Sequence, residues 1–283
     1  MRIWLLAAVL LATQAPPAFA DRDPNSGAPL PPQKRATPSP ITDHFYIRAT
    51  YFAPQLRTSL RVDPTFAAPG VTGTPVSGEN DLGLPGRLHE GRVDLMFRMR
   101  ERSKVRLDYL QADRSGSRVL ANDVIFGNNT FAAGSLAQTT LNWHMGDLTY
   151  TYSFYRSDRF EVGTGLAVYL LQVQLTSAVP AQLQQQSVTA AGPLPALPLD
   201  LAWCISSHFA LTARAAYLKA AINGAYGSFA DLHADAQYRP IPNFAIGIGY
   251  SSIHASLSRA GGDTPGMFDL SIRGPEAFIR FSF

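Results

Sequence analysis

A period-two alternation of apolar and polar residues constrains the fold of this chain more than any other feature of its sequence. From Asp43 onward, no window of helical length keeps an apolar stripe at positions i, i+3, i+4 and i+7. Residues 45–52, 92–100, 209–219 and 244–250 instead place apolar side chains at every second position, as a strand with one apolar face requires. The sequence therefore predicts an all-β chain.

The two faces of these predicted strands differ in a way that indicates which face lies inside. One face is bulky and apolar, whereas the other carries small and charged residues, which fit a narrow interior and can pair there. A closed barrel leaves no unpaired strand edge in lipid. We therefore predict a closed antiparallel up-and-down transmembrane β-barrel with its apolar face outward and its lumen largely plugged by charged side chains. The predicted lumen charge network comprises Arg48, Asp94, Arg98, Asp108, Glu161, Arg214, Asp231 and Asp235.

Short and long connections alternate between the predicted strands. Outer-membrane barrels combine short periplasmic turns with long external loops, an even strand number and periplasmic termini. The sequence predicts about ten strands. Eight or twelve stay open, because prolines interrupt 192–204 and because 127–134 could form an additional hairpin above the membrane. Short turns are predicted near 101–103, 156–158, 205–208 and 239–243, and longer loops at 54–85, 114–138, 177–192, 223–227 and 256–266.

The N-terminal residues indicate export. Residues 1–20 form a signal-peptide pattern of a basic residue, a short apolar run and a small-x-small cleavage site. The Pro-rich stretch 21–42 predicts a disordered periplasmic leader, with a spacer or a peptidoglycan contact as the alternative, and the barrel is expected to span 43–283. The single cysteine, Cys204, lies far from the cleavage site, which excludes a lipid-anchoring cysteine there and an intrachain disulfide.

The C-terminal sequence EAFIRFSF alternates up to its last residue. Phe283, Phe281 and Ile279 share one face, and this pattern resembles the C-terminal signature of Gram-negative outer-membrane barrels, which their assembly machinery recognises. The overall pattern is similar to the small-barrel families of outer membrane proteins A and W. The resemblance implies a cell outer membrane location, contact with outer-membrane lipids and lipopolysaccharide, and the barrel assembly machinery as a partner.

A plugged barrel favours a structural, surface-interaction or adhesive role. About ten strands enclose little space once side chains enter, and charges of both signs can bridge that space. A narrow, porin-like channel for small or apolar solutes is the alternative. The formal net charge is only +3, from 24 Lys+Arg and 21 Asp+Glu, and the chain has no basic run, which argues against nucleic-acid binding. The external ligand and the oligomeric state stay open.

One predicted strand carries residues with chemical potential. Asp231 and His233 share a face of 230–239, near the predicted outer end of that strand, and resemble part of the active site of the omptin proteases, which activate water with an Asp–His pair. The facing aspartate pair of those enzymes is not evident in this sequence. A polar network that fills the lumen is therefore the main interpretation, and an outer-membrane hydrolase is the alternative.

Other candidate sites have weaker support in the sequence. His89, His144 and His254 are predicted at the outer rim, where they could form a metal or pH-sensitive site only if their strands are neighbours. Ser251 lacks the context of a nucleophile elbow. The sequence contains no phosphate-binding glycine loop and no cysteine metal cluster, so that neither a cofactor nor a metal is predicted.

Overall fold

The computed structural model describes residues 39–65, 72–179, 184–222, 225–259 and 265–283, so that the predicted signal peptide and most of the predicted leader lie outside the described residues. None of the described residues belongs to a helix that is long and apolar enough to cross a membrane. The described strands are β1 (Phe45–Phe52), β2 (Gln55–Val62), β3 (Val76–Ser77), β4 (Glu90–Arg100), β5 (Ser103–Val119), β6 (Val124–Phe126), β7 (Asn129–Phe131), β8 (Leu136–Arg156), β9 (Phe160–Val179), β10 (Gln184–Cys204), β11 (Phe209–Ile222), β12 (Ala225–Ile241), β13 (Phe244–Arg259) and β14 (Gly266–Ser282).

Ten of these strands form a closed antiparallel barrel. Their order around the wall is β1, β4, β5, β8, β9, β10, β11, β12, β13 and β14, and the pairing of β1 with β14 closes the ring. This order confirms the predicted closed up-and-down barrel and fixes the strand number at ten. The prolines of 192–204 do not divide this stretch into two strands, because all of it lies within the single strand β10. The strand β2 continues the line of β1 along β14, and β3 pairs with β2.

The charged face of the wall points into the lumen, and the bulky apolar face points outward. Phe97 is 55% exposed, whereas the next residue, Arg98, is 3% exposed. On the neighbouring strand, Ile47 is exposed and Arg48 is buried. This arrangement is the reverse of a soluble β-protein and matches the predicted orientation, because a lipid-facing barrel exposes its apolar side chains.

The connections define two different ends of the barrel. At the turn end, short connections join β4 to β5, β8 to β9, β10 to β11 and β12 to β13. The first and last strands also meet there, since the Phe45 N–H donates to the Phe283 carbonyl at 3.0 Å. Aromatic rings face outward at this level, with ring centroids 6.2 Å apart for Phe45 and Phe283 and 5.2 Å apart for Phe244 and Phe281. The opposite end carries the other connections and is called the loop end.

The strands run further toward the loop end than the sequence analysis predicts. The strands β9 and β10 stay paired as far as Val179 and Gln184, so that most of the loop predicted at 177–192 is strand. The strands β5 and β8 likewise stay paired as far as Val119 and Leu136. These extensions escaped prediction because polar residues occupy part of them, although pairing between neighbours continues regardless of what surrounds the wall.

A hairpin of β6 and β7, called the cap, folds over part of the lumen at the loop end. The sequence leaves open a hairpin at 127–134 that extends above the membrane, whereas the structure places the hairpin at 124–131 and turns it inward. Phe126 and Phe131 are both buried, in a cluster that also contains Leu60 and Leu141. The cap turns inward because this position removes both phenylalanine rings from water.

The described end of the predicted leader is part of the folded unit. Ile41 is 1% exposed and packs at the turn end against Ala202, Cys204 and Ala210. The guanidinium of Arg156 donates to the Ile41 carbonyl at 3.1 Å. The packed region therefore begins before the boundary predicted at Asp43, because an apolar residue of the Pro-rich stretch finds an apolar site inside the barrel.

Candidate functional site

The half of the lumen nearer the turn end is filled by ion pairs. All eight residues of the predicted lumen charge network lie there, with side chains that are at most 11% exposed. Arg48 lies at the centre of this network, with its Nη1 2.8 Å from Asp235 and its Nη2 2.6 Å from Glu276. Its Nε lies 3.6 Å from Asp94, and the guanidinium carbon lies 3.6 Å from the centroid of the Phe278 ring. Arg48 thus neutralises several carboxylates at once.

Further ion pairs extend this network along the wall. Arg98 donates to both carboxylate oxygens of Glu161, at 2.8 and 3.1 Å. Arg214 lies 3.7 Å from Asp94. Alternation along single strands would have identified several of the members that the sequence analysis omitted, because Arg92, for example, shares a face with Asp94. The omitted members are Asp43, Arg92, Lys104, Arg106, Asp200, Arg239, Glu276 and Arg280.

Asp43 completes the network at the turn end. Its Oδ2 lies 2.6 Å from Nη2 of Arg239 and 2.5 Å from Nη2 of Arg280. Asp43 follows the buried Ile41 by two residues, so that these contacts fasten the segment before β1 inside the barrel. Buried charges of this kind are tolerated only when they are paired. Side chains, and not an open channel, therefore occupy this end of the lumen.

The predicted pair Asp231 and His233 belongs to this network and does not lie at the outer end of its strand. Nε2 of His233 lies 2.7 Å from Asp231, and Nδ1 of His233 contacts the hydroxyl of Ser251 on β13. The contact with Ser251 was not predictable from the sequence of one strand, because the register of β12 and β13 places Ser251 opposite His233.

An Asp–His–Ser chain of contacts is the arrangement that serves nucleophilic catalysis. Here Ser251 is completely buried, and its hydroxyl also donates to Glu276 at 2.7 Å. His233 is equally enclosed, since Nη1 of Arg92 lies 2.9 Å from its Nε2. The side chains around the serine occupy the space that a substrate would need, so that this geometry supports a packed polar network.

The three predicted rim histidines are separate from one another. His89 precedes β4, His144 lies on β8 and His254 lies on β13, and these strands are not neighbours. The condition for a shared site is therefore not met, and no cluster of His, Cys, Asp and Glu suited to a metal occurs in the ranges that the structure describes. Each histidine has its own partner, which is Tyr51 at 2.5 Å for His89, Tyr109 at 3.1 Å for His144 and Asp269 at 3.6 Å for His254.

The predicted assembly residues Phe283, Phe281 and Ile279 lie at the turn end on the outward face. They are 67%, 46% and 44% exposed. A partner approaching the outer surface of the barrel would meet them directly. Their role as an assembly signal stays a prediction.

The polarity of the wall reverses toward the loop end. On β9, Leu170 points outward and is 62% exposed, but the next outward residues are Gln172 and Gln174, while Leu171 and Val173 point inward. The strands β5, β8 and β13 show the same change. We interpret it as the level at which the wall leaves the lipid-facing band, since an apolar interior with a polar exterior suits water. The prediction of a charged lumen is therefore wrong for the loop-end part of the wall, although LLQVQL (170–175) displays the change.

A mainly apolar cavity of about 550 Å³ lies in the loop-end part of the lumen. Tyr169 forms the boundary of the cavity on the side of the turn end. The ring centroid of Tyr169 lies 4.6 Å from that of Phe229, and the hydroxyl of Tyr169 donates to Asp231 at 3.2 Å. Phe229 thus belongs to the cavity and Asp231 to the ion network. The cavity is lined by Phe126, Trp143, Leu175, Leu194, Leu218 and Leu257, among others.

No protein-family model matches the chain, and no curated protein matches its sequence. Solved structures match its fold. The outer membrane protease OmpT from Escherichia coli is 10% identical, and the match covers 84% of this chain and 97% of that chain with a TM-score of 0.50.

Two further matches have lower TM-scores. The translocator domain of the autotransporter NalP from Neisseria meningitidis is 12% identical, over 84% of this chain and 88% of that chain, with a TM-score of 0.41. Ail, the attachment invasion locus protein of Yersinia pestis, is 11% identical, over 84% and 99%, with a TM-score of 0.36. At such identities a match indicates the fold and not the activity.

Proposed function

We propose that this protein is a non-conducting barrel of the Gram-negative outer membrane with a structural or surface-interaction role. The filled lumen is the observation that supports this best. Three layers of side chains follow one another along the axis, namely the segment held by Asp43, the ion network around Arg48 and the apolar layer at Tyr169. The exposed apolar band of the wall and the outer-membrane origin of its structural relative OmpT support the location.

Conductance measurements test this proposal directly. The refolded protein is added to a planar lipid bilayer and single-channel current is recorded, and a swelling assay with small neutral solutes is run in parallel. We expect no reproducible openings and no faster swelling than in empty vesicles, because ion pairs and apolar side chains leave no continuous water path. Reproducible current steps from the unmodified protein would contradict the proposal.

A variant with a thinned network shows that the assay can detect an opening. Arg48→Ala with Glu276→Ala thins the ion network, Tyr169→Ala thins the apolar layer and Asp43→Ala releases the segment before β1, and we expect the combined variant to conduct. Ile47→Ala is the matched control, because Ile47 is the adjacent outward-facing residue of the same strand and does not enter the lumen. Bilayers with the Ile47→Ala variant should show no reproducible current steps.

The apolar cavity favours a second candidate function, a narrow channel for small apolar solutes. Because the layer at Tyr169 closes the cavity on the side of the ion network, the geometry favours holding such a solute over passing it. Vesicles that contain the barrel and an encapsulated solvatochromic dye distinguish the two functions. Faster entry of a small aromatic solute than in protein-free vesicles would support the channel.

A further inference from the structure

The wall of the barrel is interrupted beside the cavity. The pairing of β10 with β11 runs from the turn end to Leu197 and Tyr217, and it ends there even though the structure describes residues of both strands beyond this point. Past these residues, β10 remains paired with β9, and β11 remains paired with β12. The two strands are thus not paired over the loop-end half of the wall. The unpaired stretch between 192–196 of β10 and 218–222 of β11 is called the seam.

Two prolines explain why the pairing stops. The hydroxyl of Thr164 on β9 donates to the Pro198 carbonyl at 2.7 Å, so that even-numbered residues of β10 direct their backbone groups toward β9. Odd-numbered residues therefore direct theirs toward β11. Pro193 and Pro195 are two of these, and a proline has no N–H to donate. The seam is therefore favoured by the sequence, because the two β10 donors that would help to close it are absent.

The seam leads from the lipid-facing band into the cavity. Leu194 on one side and Leu218 and Ala220 on the other side line the cavity. On the outer surface of the wall next to it, Leu170 and Leu197 are 62% and 70% exposed. Leu170 pairs with Pro193 across β9 and β10, and Ala167 pairs with Ala196, which places most of the seam at the height of the lipid-facing residues. An apolar path therefore connects the lipid surroundings with the interior.

Two polar groups beside this path fit an amphiphile that carries an acyl chain. Lys219 is exposed on the outer surface of β11, two residues beyond the exposed Tyr217, where it would meet anionic headgroups. Inside, Trp143 is 2% exposed and lines the cavity, and within the described structure its indole N–H has no hydrogen-bond partner. A buried donor without a partner is uncommon and calls for an acceptor. An acyl carbonyl oxygen would supply one.

We propose that the cavity holds one acyl chain of an anionic amphiphile of the outer leaflet, and that the chain enters sideways through the seam. The volume of about 550 Å³ lies within the range of about 300–1,000 Å³ that is typical of ligand sites. The proposal rests on the membrane location proposed above and adds a ligand site to it. It does not depend on conductance, because the chain is held above the ion network.

Trp143 provides the reporter for a test. The chain contains three tryptophans, and Trp4→Phe together with Trp203→Phe leaves Trp143 as the single emitter. This reporter protein is refolded into bilayers whose phospholipids, including an anionic fraction, carry bromine atoms on their acyl chains. Bromine quenches tryptophan emission only at short range. We expect most of the Trp143 emission to be lost, although its side chain faces the lumen.

A fatty acid added from solution distinguishes the two possible sources of an acyl chain, which are the bilayer and the surrounding water. In this second arm the bilayer is free of bromine, and a brominated fatty acid is added from solution. Such a molecule can also reach the cavity through the loop end. Quenching by the free acid alone, without quenching by bilayer lipid in the reporter protein, would overturn sideways entry. The absence of quenching in both arms would overturn the ligand site itself.

Variants of the seam and of the cavity complete the test. Pro193→Val with Pro195→Val restores two backbone donors, so that we expect quenching by bilayer lipid to fall while quenching by the free acid persists. Pro198→Val is the matched control, because its backbone faces β9 and the residue already pairs with β11. If the double variant is quenched by bilayer lipid as strongly as the reporter protein, the seam is not the route.

A variant with a filled cavity measures how much of the Trp143 quenching comes from bromine outside the cavity. Ala220→Phe places a ring in the cavity, and we expect it to abolish quenching in both arms, whereas Ala221→Phe places the same ring on the outer surface and should not. Equal quenching in these two variants would mean that bromine acts through the wall, and would overturn the proposal. A barrel that fails to insert, which would defeat the membrane placement, is recognised beforehand by an unheated gel mobility equal to that of the boiled chain.

Discussion

The ion pair between Arg98 and Glu161 offers a sharp test of how the filled lumen stabilises the barrel. Glu161 is 1% exposed, and Arg98 is its ion-pair partner within 4 Å among the described residues. The carboxylate also accepts a hydrogen bond from the hydroxyl of Ser153. Arg98→Ala leaves this buried charge with one neutral hydrogen-bond donor and the more distant charge of Lys104.

The expected loss of stability is large. Removing one partner of a buried ion pair costs about 3–5 kcal/mol of unfolding free energy, because the remaining charge stays desolvated. Arg214→Ala should cost less, because Asp94, which lies 3.7 Å from Arg214, keeps a second cation, Arg48, at 3.6 Å. Urea unfolding of the barrel in lipid vesicles, followed by tryptophan fluorescence, measures both changes as shifts of the transition midpoint.

A double variant separates the loss of the interaction from the burden of the unpaired charge. Arg98→Met with Glu161→Gln removes both charges and keeps similar side-chain volumes, so that we expect it to recover most of the stability that Arg98→Ala loses. The reasoning is refuted if Arg98→Ala unfolds within about 0.5 kcal/mol of the unmodified protein, the scatter of ordinary surface substitutions. It is equally refuted if the double variant is no more stable than the single one.

Four other expectations follow from the structure. Gly247→Ala should lower the unfolding free energy by about 1–3 kcal/mol, because the new methyl group would lie 2.3 Å from the ring of the buried Phe278. Gly146→Ala is its control in the same urea assay and should have little effect, because its new methyl group would have no neighbour closer than 3.8 Å. Leu148→Arg, at an outward position that is 50% exposed, should cost about 2–4 kcal/mol if that position lies near the bilayer midplane, as lipid vesicle titrations would show. Phe283→Ala should reduce the amount of heat-modifiable barrel in outer-membrane fractions, and an unchanged amount would remove the residue from the assembly signal. The unmodified protein and His233→Ala should be equally inactive on basic peptides, and cleavage that the substitution abolishes would establish the hydrolase alternative.

The wall of the barrel could be predicted from the sequence because its cause is local. Alternation between Phe97 and Arg98 reflects the pleat of a single strand, and the position of the short turns follows from where that alternation pauses. The outward orientation of the apolar face required one more step, namely that small and charged residues fill a narrow interior. Each step uses neighbours in sequence, and each agrees with the structure.

The remaining features depend on which strands lie side by side. The contact between His233 and Ser251 follows from the register of β12 and β13, and the seam follows from the way Pro193 and Pro195 face β11 and not β9. The burial of Ile41 depends on an apolar site formed by distant strands. The reversal of polarity near Gln172 is different, because it is local and was missed only when one polarity was assumed for the whole length of each strand.

The joint between β1 and β14 determines when the molecule becomes complete during folding. Arg48 and Glu276 are separated by 228 positions in the chain, yet their side chains lie 2.6 Å apart. Contacts of such long range form late, because the entropy of closing a large loop must be overcome first. Until they form, both strands present unpaired edges that can pair with other chains. A folding intermediate in which Asp43 has not yet contacted Arg280 therefore exposes two unpaired strand edges. We expect such an intermediate to aggregate or to be degraded, and not to form a smaller functional barrel.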